Sequence, residues 1–230
     1  MKPLFIVGTD TGVGKTAVAG CWARFLTQKG LRVITQKWVE TGSGSKISQD
    51  IEFHLKMMGK DRDDLGDYRD LVAPYVFGFP ASPHLASRLE NKMVRREKII
   101  SGFRVLSSSF DHVVVEASGG VLVPFDKKHC LIDIAKSLNM AVLLVVHNRL
   151  GAINHALLSL EALKARKMKV AGMVFNNLEP CDDKILKDNP VIVEKISKVK
   201  VLGVLPKTKT HEELYARFQP VAQKIFRALR

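Results

Sequence analysis

Nine consecutive residues, Gly8, Thr9, Asp10, Thr11, Gly12, Val13, Gly14, Lys15 and Thr16, carry the plainest chemical capacity in the chain. Small residues ahead of a Gly-Lys-Thr step let the backbone curl until several N–H groups face one concavity, an anion-binding nest. A helix that starts there adds the positive end of its dipole. Lys15 is then placed to reach β- and γ-phosphates, and the Thr16 hydroxyl to ligate Mg²⁺. The loop departs from the usual G-x-x-x-x-G-K-[ST] spacing, because Thr9 stands where glycine is usual and Gly8 comes one residue early. Four more polar residues fall near it if strands and helices alternate as below: Lys37, Asp50, Glu116 and Asn176. A carboxylate such as Glu116, ahead of the small residues Ala117, Ser118, Gly119 and Gly120, is suited to hold Mg²⁺ beside phosphates. These residues point to a Mg²⁺-dependent nucleotide enzyme.

The elements that must position these groups follow from apolar patterning. Residues 3–7 read as a buried strand leading into the loop, and Val18, Cys21, Trp22, Phe25 and Leu26 mark the helix after it. Gly30 stops that helix, and residues 31–36 form a second strand that delivers Lys37 at its carboxyl end, where open α/β sheets bind ligands. Residues 40–45 are polar and glycine-rich and read as a loop, with a helix from about Ser48 that carries Asp50 in its first turn. Residues 60–70 read as a solvated loop. Residues 73–83 hold three prolines and are expected to pack irregularly across the active face. Helices at 84–90 and 94–106 precede a strand at 111–115, ending at Glu116. A helix at 132–138, a strand at 141–146 buried on both faces, a helix from Gly151, and strands at 170–175 and 199–205 complete the pattern. Thr210 and Glu213 have capping-box spacing and open a terminal helix that Pro220 is expected to divide or kink. The alternation predicts an α/β fold of P-loop type: a single domain over residues 1–230 with a mostly parallel sheet covered by helices on both faces.

Composition agrees. At 230 residues, 46 % hydrophobic and 26 % charged, the chain has the make-up of a globular domain. No apolar run approaches the roughly 18–20 residues that span a bilayer. Cleaving a leader would destroy the phosphate loop, so a cytoplasmic protein is expected. Three scattered cysteines, Cys21, Cys130 and Cys181, fit a reducing compartment. The net charge of +13 is spread over short stretches at 56–62, 95–98, 164–169 and 195–200. Without interleaved aromatics these read as solvated faces that also attract polyanionic nucleotides, not as a nucleic-acid site.

Taken together, residues 8–16, Lys37, the Ser48, Gln49, Asp50 helix start, residues 74–77, 82–84, 116–120 and 150–156, Asn176 and residues 202–206 resemble the dethiobiotin synthetase family over nearly the whole chain. The resemblance implies an ATP-dependent ligase that joins 7,8-diaminononanoate and CO₂ (or bicarbonate) into a cyclic urea, through a carbamate and a carbamic-phosphoric anhydride. It places Mg²⁺ on Thr16, Asp50 and Glu116, and assigns catalysis to Lys15, Lys37 and Thr11. ATP would meet Gly12, Val13, Gly14, Lys15, Thr16 and Ala17, then Asp50, Glu116, Ala117, Ser118 and Gly119. Asn176 would read the adenine edge, with Asn177, Leu205, Pro206, Lys207 and Glu212 beside it. The diamine would meet Thr11, Lys37 and Thr41, and its carboxylate would meet Leu150, Gly151 and Asn154 at a helix start from the partner subunit of a homodimer. Neither nucleic acid nor a membrane would be a partner. Two departures from the family pattern stand out. Trp38 follows Lys37 where proline is usual, with Glu40 beyond it, and Ala117-Ser118 replaces the usual Gly-Ala.

Three other classes are weighed against this reading. A partition or cell-division ATPase carries a second lysine where this loop has Asp10. An amide-forming relative acting on a corrinoid precursor usually adds a glutamine-hydrolysing domain, for which 230 residues leave no room. A pure binding module has no need of Lys15, Thr16, Asp50 and Glu116 together.

Overall fold

The computed structural model describes residues 2–45 and 48–229; residues 46 and 47, between the expected loop and the helix at Ser48, lie outside them, as do both terminal residues. In chain order the elements are β1 (Leu4–Gly8), α1 (Lys15–Gln28), β2 (Val33–Lys37), β3 (Val39–Thr41), α2 (Gln49–Met58), a 3₁₀ segment (Asp63–Tyr68), α3 (Arg69–Val72) and β4 (Tyr75–Phe77). There follow α4 (Pro83–Leu89), α5 (Arg96–Ser109), β5 (His112–Gly120), α6 (Leu131–Ser137), β6 (Ala141–His147) and α7 (Ala152–Ala165). The chain closes with β7 (Lys169–Asn176), α8 (Asp183–Ser197), β8 (Val201–Leu205) and α9 (His211–Leu229).

Among the described residues six strands form one sheet in the order β2-β5-β1-β6-β7-β8, and every pairing in it is parallel. Its strands alternate between two apolar cores. Leu4 and Ile6 of β1 face a cluster built with α1 and α9, including Trp22, Leu26, Phe218 and Ile225. Phe5 and Val7 face the opposite cluster with Ile99, Phe103, Ile132 and Leu163. Burial on both faces explains why β1 and β6 read as continuous apolar runs rather than as alternation. The expected doubly covered parallel sheet is therefore what forms. β1 lies between β5 and β6, so the loop after β1 opens where the strand order reverses, the crevice in which such sheets bind ligands.

The differences from expectation are local. Residues 40 and 41 of the expected loop are strand: β3 pairs in parallel with β4 as a second, two-stranded sheet. Residues 73–83 accordingly contain a strand, and residues 60–70 contain the 3₁₀ segment and the start of α3. β5 does not stop at Glu116 but continues to Gly120, opposite Gly8. α8 has no counterpart in the apolar pattern, which Asn189 and Pro190 interrupt. α9 runs as one element through Pro220. The Thr210 hydroxyl accepts from Glu213 N as its spacing predicts, while the Glu213 carboxylate reaches Lys209 N.

Candidate functional site

The phosphate loop leaves β1 with left-handed backbone at Gly12 (φ 73°) and Gly14 (φ 90°), conformations that side chains with a Cβ rarely adopt. Gly8 is required for a different reason: a Cβ there would lie 2.6 Å from Val13 Cγ2. The glycine displaced by one position thus serves the close approach of the loop to itself. Asp10 closes the turn, accepting from Thr11 N at 2.7 Å. Lys15 folds over the loop and donates to the Asp10 carbonyl at 2.8 Å.

The sheet register brings the remaining groups in. Lys37 ends β2 directly opposite Glu116 in β5, and cross-strand neighbours on one face of a sheet are within contact distance. Lys37 Nζ is 2.8 Å from Glu116 Oε1, 2.6 Å from Asp50 Oδ2 and 3.1 Å from the Ala117 carbonyl. The third direction is supplied by α2, which packs closely on α1 because Gly20 has no side chain: a Cβ there would meet Met57 Cγ at 2.9 Å. That approach sets Thr16 Oγ1 2.9 Å from Asp50 Oδ1 and 3.0 Å from Glu116 Oε1. One hydroxyl proton serves only one of these carboxylates at a time. The cluster is therefore rich in hard oxygen acceptors, and the Lys37 ammonium already sits among them. Such a donor set fits Mg²⁺, which takes one or two carboxylates, a hydroxyl and phosphate oxygens. Among the described residues no group of three His, Cys, Asp or Glu side chains forms a metal cage of its own.

Electrostatics sharpen the roles. Burial works to raise the Glu116 pKa, but the Lys37 charge and the hydrogen bond from His54 outweigh it and hold the carboxyl down at about 2. Burial likewise works against the Lys37 charge, and Glu116 and Asp50 outweigh it, so its pKa lies above the ordinary value. Lys15 goes the other way: burial and the nearby Lys37 charge bring it down to about 8. Phosphate binding favours the ammonium form. The affinity for a non-hydrolysable ATP analogue should be full below about pH 8 and fall above it, on the order of tenfold per pH unit. Calorimetric titration from pH 6.5 to 9.5, with proton uptake measured in two buffers, checks this. A flat profile would take Lys15 out of phosphate binding.

Two residues that sequence reasoning left unassigned complete the surroundings. His54 is fully buried and its Nε2 lies 3.0 Å from Glu116 Oε2. Because the carboxylate is ionised and can only accept, Nε2 carries the proton. The signal for it was present: His54 follows Asp50 by four residues and so shares its helix face. Glu40, a flagged departure, grips the start of α2, accepting from Gln49 N at 2.9 Å and from the Ser48 hydroxyl. Burial raises its pKa, against those hydrogen bonds. Trp38, the other departure, turns into the core, stacking on Phe5 at 5.1 Å and donating to Gln36 Oε1 at 2.8 Å.

Some expected nucleotide and substrate contacts are engaged elsewhere. The Ser118 hydroxyl donates to the Val39 carbonyl and stitches β5 to β3. Both Glu212 carboxylate oxygens are held by Arg24 at 2.7 and 2.8 Å, about two helical turns below Thr16. The Asn176 amide donates to the Val13 carbonyl at 3.1 Å, so it clasps the phosphate loop. Asn177 N donates to the Leu205 carbonyl at 2.8 Å, which brings Leu205, Pro206 and Lys207 alongside. Thr11 neighbours Gly119, whose Cβ would come 3.4 Å from Thr11 Oγ1. Thr41 ends β3. Leu150 is 76 % exposed, and Gly151 and Asn154 are exposed with it.

Comparison with known proteins bears on the assignment. The family model described as an AAA domain matches residues 2–213. The ATP-dependent dethiobiotin synthetase BioD of Thermodesulfovibrio yellowstonii is 38 % identical over 88 % of this chain and 87 % of its own. BioD 2 of Pasteurella multocida is 37 % identical over 80 % and 85 %. Among solved structures, the ATP complex of a Cyanothece McdA variant superposes with a TM-score of 0.62 at 13 % identity, covering 100 % of this chain and 96 % of that one. The MinC:MinD cell division complex of Aquifex aeolicus gives 0.60 at 16 %, covering 100 % and 96 %. Likeness at that identity speaks to the fold alone, whereas the sequence relatives cover most of both chains, and Asp10 occupies the place of the second lysine of the partition class. The chain belongs to the ATP-dependent dethiobiotin synthetase family.

Proposed function

We propose that the cleft joins CO₂ to the vicinal amines of 7,8-diaminononanoate and closes the cyclic urea of dethiobiotin while ATP becomes ADP and phosphate. Family membership makes the chain an ATP-dependent ligase that forms C–N bonds; the individual roles below are our reading. The observation that carries them is the convergence of Lys37, Asp50, Glu116 and Thr16 within hydrogen-bond distance of one another beside the phosphate loop. An amine that has taken up CO₂ is an anionic carbamate, and it must approach an anionic triphosphate. Lys15 and Lys37 offset that repulsion and stabilise the charge that moves with the phosphoryl group. Thr16, Asp50 and Glu116 would hold Mg²⁺, which supplies charge neutralisation on the phosphate oxygens. Thr11, Lys37 and Thr41 position the amine end. Once the carbamate oxygen has displaced ADP from the γ-phosphorus, the neighbouring amine attacks the carbonyl carbon and phosphate leaves. Asn176 and Asn177, with Leu205, Pro206 and Lys207, hold the base.

The carboxylate of the diamine would sit at the start of α7, where Gly151 (φ 88°) is the N-cap and no side chain caps the first turn. Open N–H groups at a helix N-terminus suit an anion. The exposure of Leu150, Gly151 and Asn154 supports their presentation to a second copy, hence a homodimer with the site between subunits. We place residues 1–230 in one domain and the protein in the cytoplasm, in keeping with three free cysteines. Neither nucleic acid nor a membrane enters as a partner, and among the described residues no helix is long and apolar enough to cross a bilayer. Purified protein with ATP, Mg²⁺ and bicarbonate should release phosphate at least tenfold faster when the diamine is added. Release that ignores the diamine would reject the assignment.

A further inference from the structure

Behind the start of α7 lies a buried cluster of asparagines. Asn148 is fully buried and Asn189 is 4 % exposed. Asn148 Nδ2 has two protons, and both have acceptors: Asn177 Oδ1 at 2.9 Å and the Leu186 carbonyl at 2.9 Å. Its Oδ1 accepts from Asn189 Nδ2 at 2.9 Å. The other Asn189 proton goes to the Arg149 carbonyl at 3.0 Å, which also accepts from Ala152 N at 3.0 Å as the chain turns into α7. Each amide nitrogen thus uses its full donor capacity, and buried networks satisfied in this way fix one geometry. The Leu186 carbonyl is available for a stated reason. In a helix it would accept from the residue four positions on, but that residue is Pro190, inside α8, which has no N–H. The proline that interrupts the helix opens the acceptor that Asn148 takes.

We propose that Asn189 and Asn148, with the carbonyl freed by Pro190, are positioning residues for the carboxylate end of the substrate, because they clamp residues 149–151 and so set where the α7 N-terminus points. The inference rests on the reading that this N-terminus receives the diamine carboxylate. The same lattice touches the base end of the cleft through Asn177 and through Asn148 N, which donates to the Asn176 carbonyl at 2.9 Å.

The test compares 7,8-diaminononanoate with the corresponding vicinal diamine whose chain ends in methyl instead of carboxylate. Wild-type protein should prefer the carboxylate-bearing diamine by at least tenfold in kcat/KM. Asn189→Ala should lose about tenfold on that substrate, through KM, with the methyl-ended diamine and the KM for ATP unchanged within twofold. Hydrogen exchange at residues 149–152 should quicken in the variant. Pro190→Ala, which offers Leu186 a helical partner without removing an asparagine, should move KM for the carboxylate-bearing diamine the same way by a smaller factor. Equal loss on both substrates, or unchanged exchange and KM, would overturn the clamp. A wild-type protein indifferent to the carboxylate would overturn the seat at α7, and the clamp with it.

Discussion

Lys37→Ala should lower turnover by about a thousandfold while the affinity for ATP changes by less than about fivefold, since removing one charged donor from a developing anion costs catalysis rather than ground-state binding. Lys37 ends β2 with its ammonium against Asp50, Glu116 and the Ala117 carbonyl, and the loop residues that would wrap the triphosphate do not depend on it. The same substitution leaves Glu116, 1 % exposed, without its main counter-charge. Breaking a buried pair by removing one member costs on the order of 3–5 kcal/mol, so the metal-free variant should melt well below the parent. On the proposed reading Mg²⁺ would compete with Lys37 for the same two carboxylates, and it should then restore more of the lost stability in the variant than it adds to the parent. Single-turnover phosphate release, calorimetric ATP titration and melting with and without Mg²⁺ measure all three. A parallel collapse of ATP affinity would move Lys37 into the nucleotide site.

The second large effect belongs to Gly14→Ala. The residue has φ 90°, and an added Cβ would run into Asn176 Nδ2, the amide that clasps Val13. Left-handed strain and overpacking together should cost about 2–4 kcal/mol and reduce ATP affinity at least a hundredfold. Removing the obstacle separates the two causes. In a double-mutant cycle, Asn176→Ala should make Gly14→Ala less harmful, leaving about 1 kcal/mol of backbone strain. Denaturant titration of the four proteins provides the readout. If the two substitutions simply add, Asn176 does not close over the loop.

Much of this site was legible because its chemistry is local. Gly12, Gly14, Lys15 and Thr16 lie close together in the chain, and the apolar runs before Lys37 and Glu116 announce those two. What escaped depends on pairing between distant residues. β3 and β4 have three residues each, too few for any period to show. The role of Ser118 depends on which strand passes beside it, and that strand was itself unseen. Glu212, expected beside the adenine, is tied to Arg24 of α1, a partner that only the packing of α9 reveals. α8 was hidden by the very residues, Asn189 and Pro190, that give it a role. The two departures after Lys37 illustrate the same limit. Trp38 is absorbed by the core and Glu40 by the cap of α2, neither of which the local pattern reveals.

The hold of Glu40 on Gln49 N and Ser48 carries a consequence for how this protein can vary. Glu40 stands three residues after Lys37 and holds the helix start that carries Asp50, so Lys37 and the carboxylate it meets are tied through a short route. The chain from Thr41 to Ser48 is relieved of setting that distance. Doubling the length of a flexible connection costs only about 0.6 kcal/mol in closure entropy. The connection is thus a place where evolution, or an engineer grafting a new surface, can lengthen the chain without retuning the reaction.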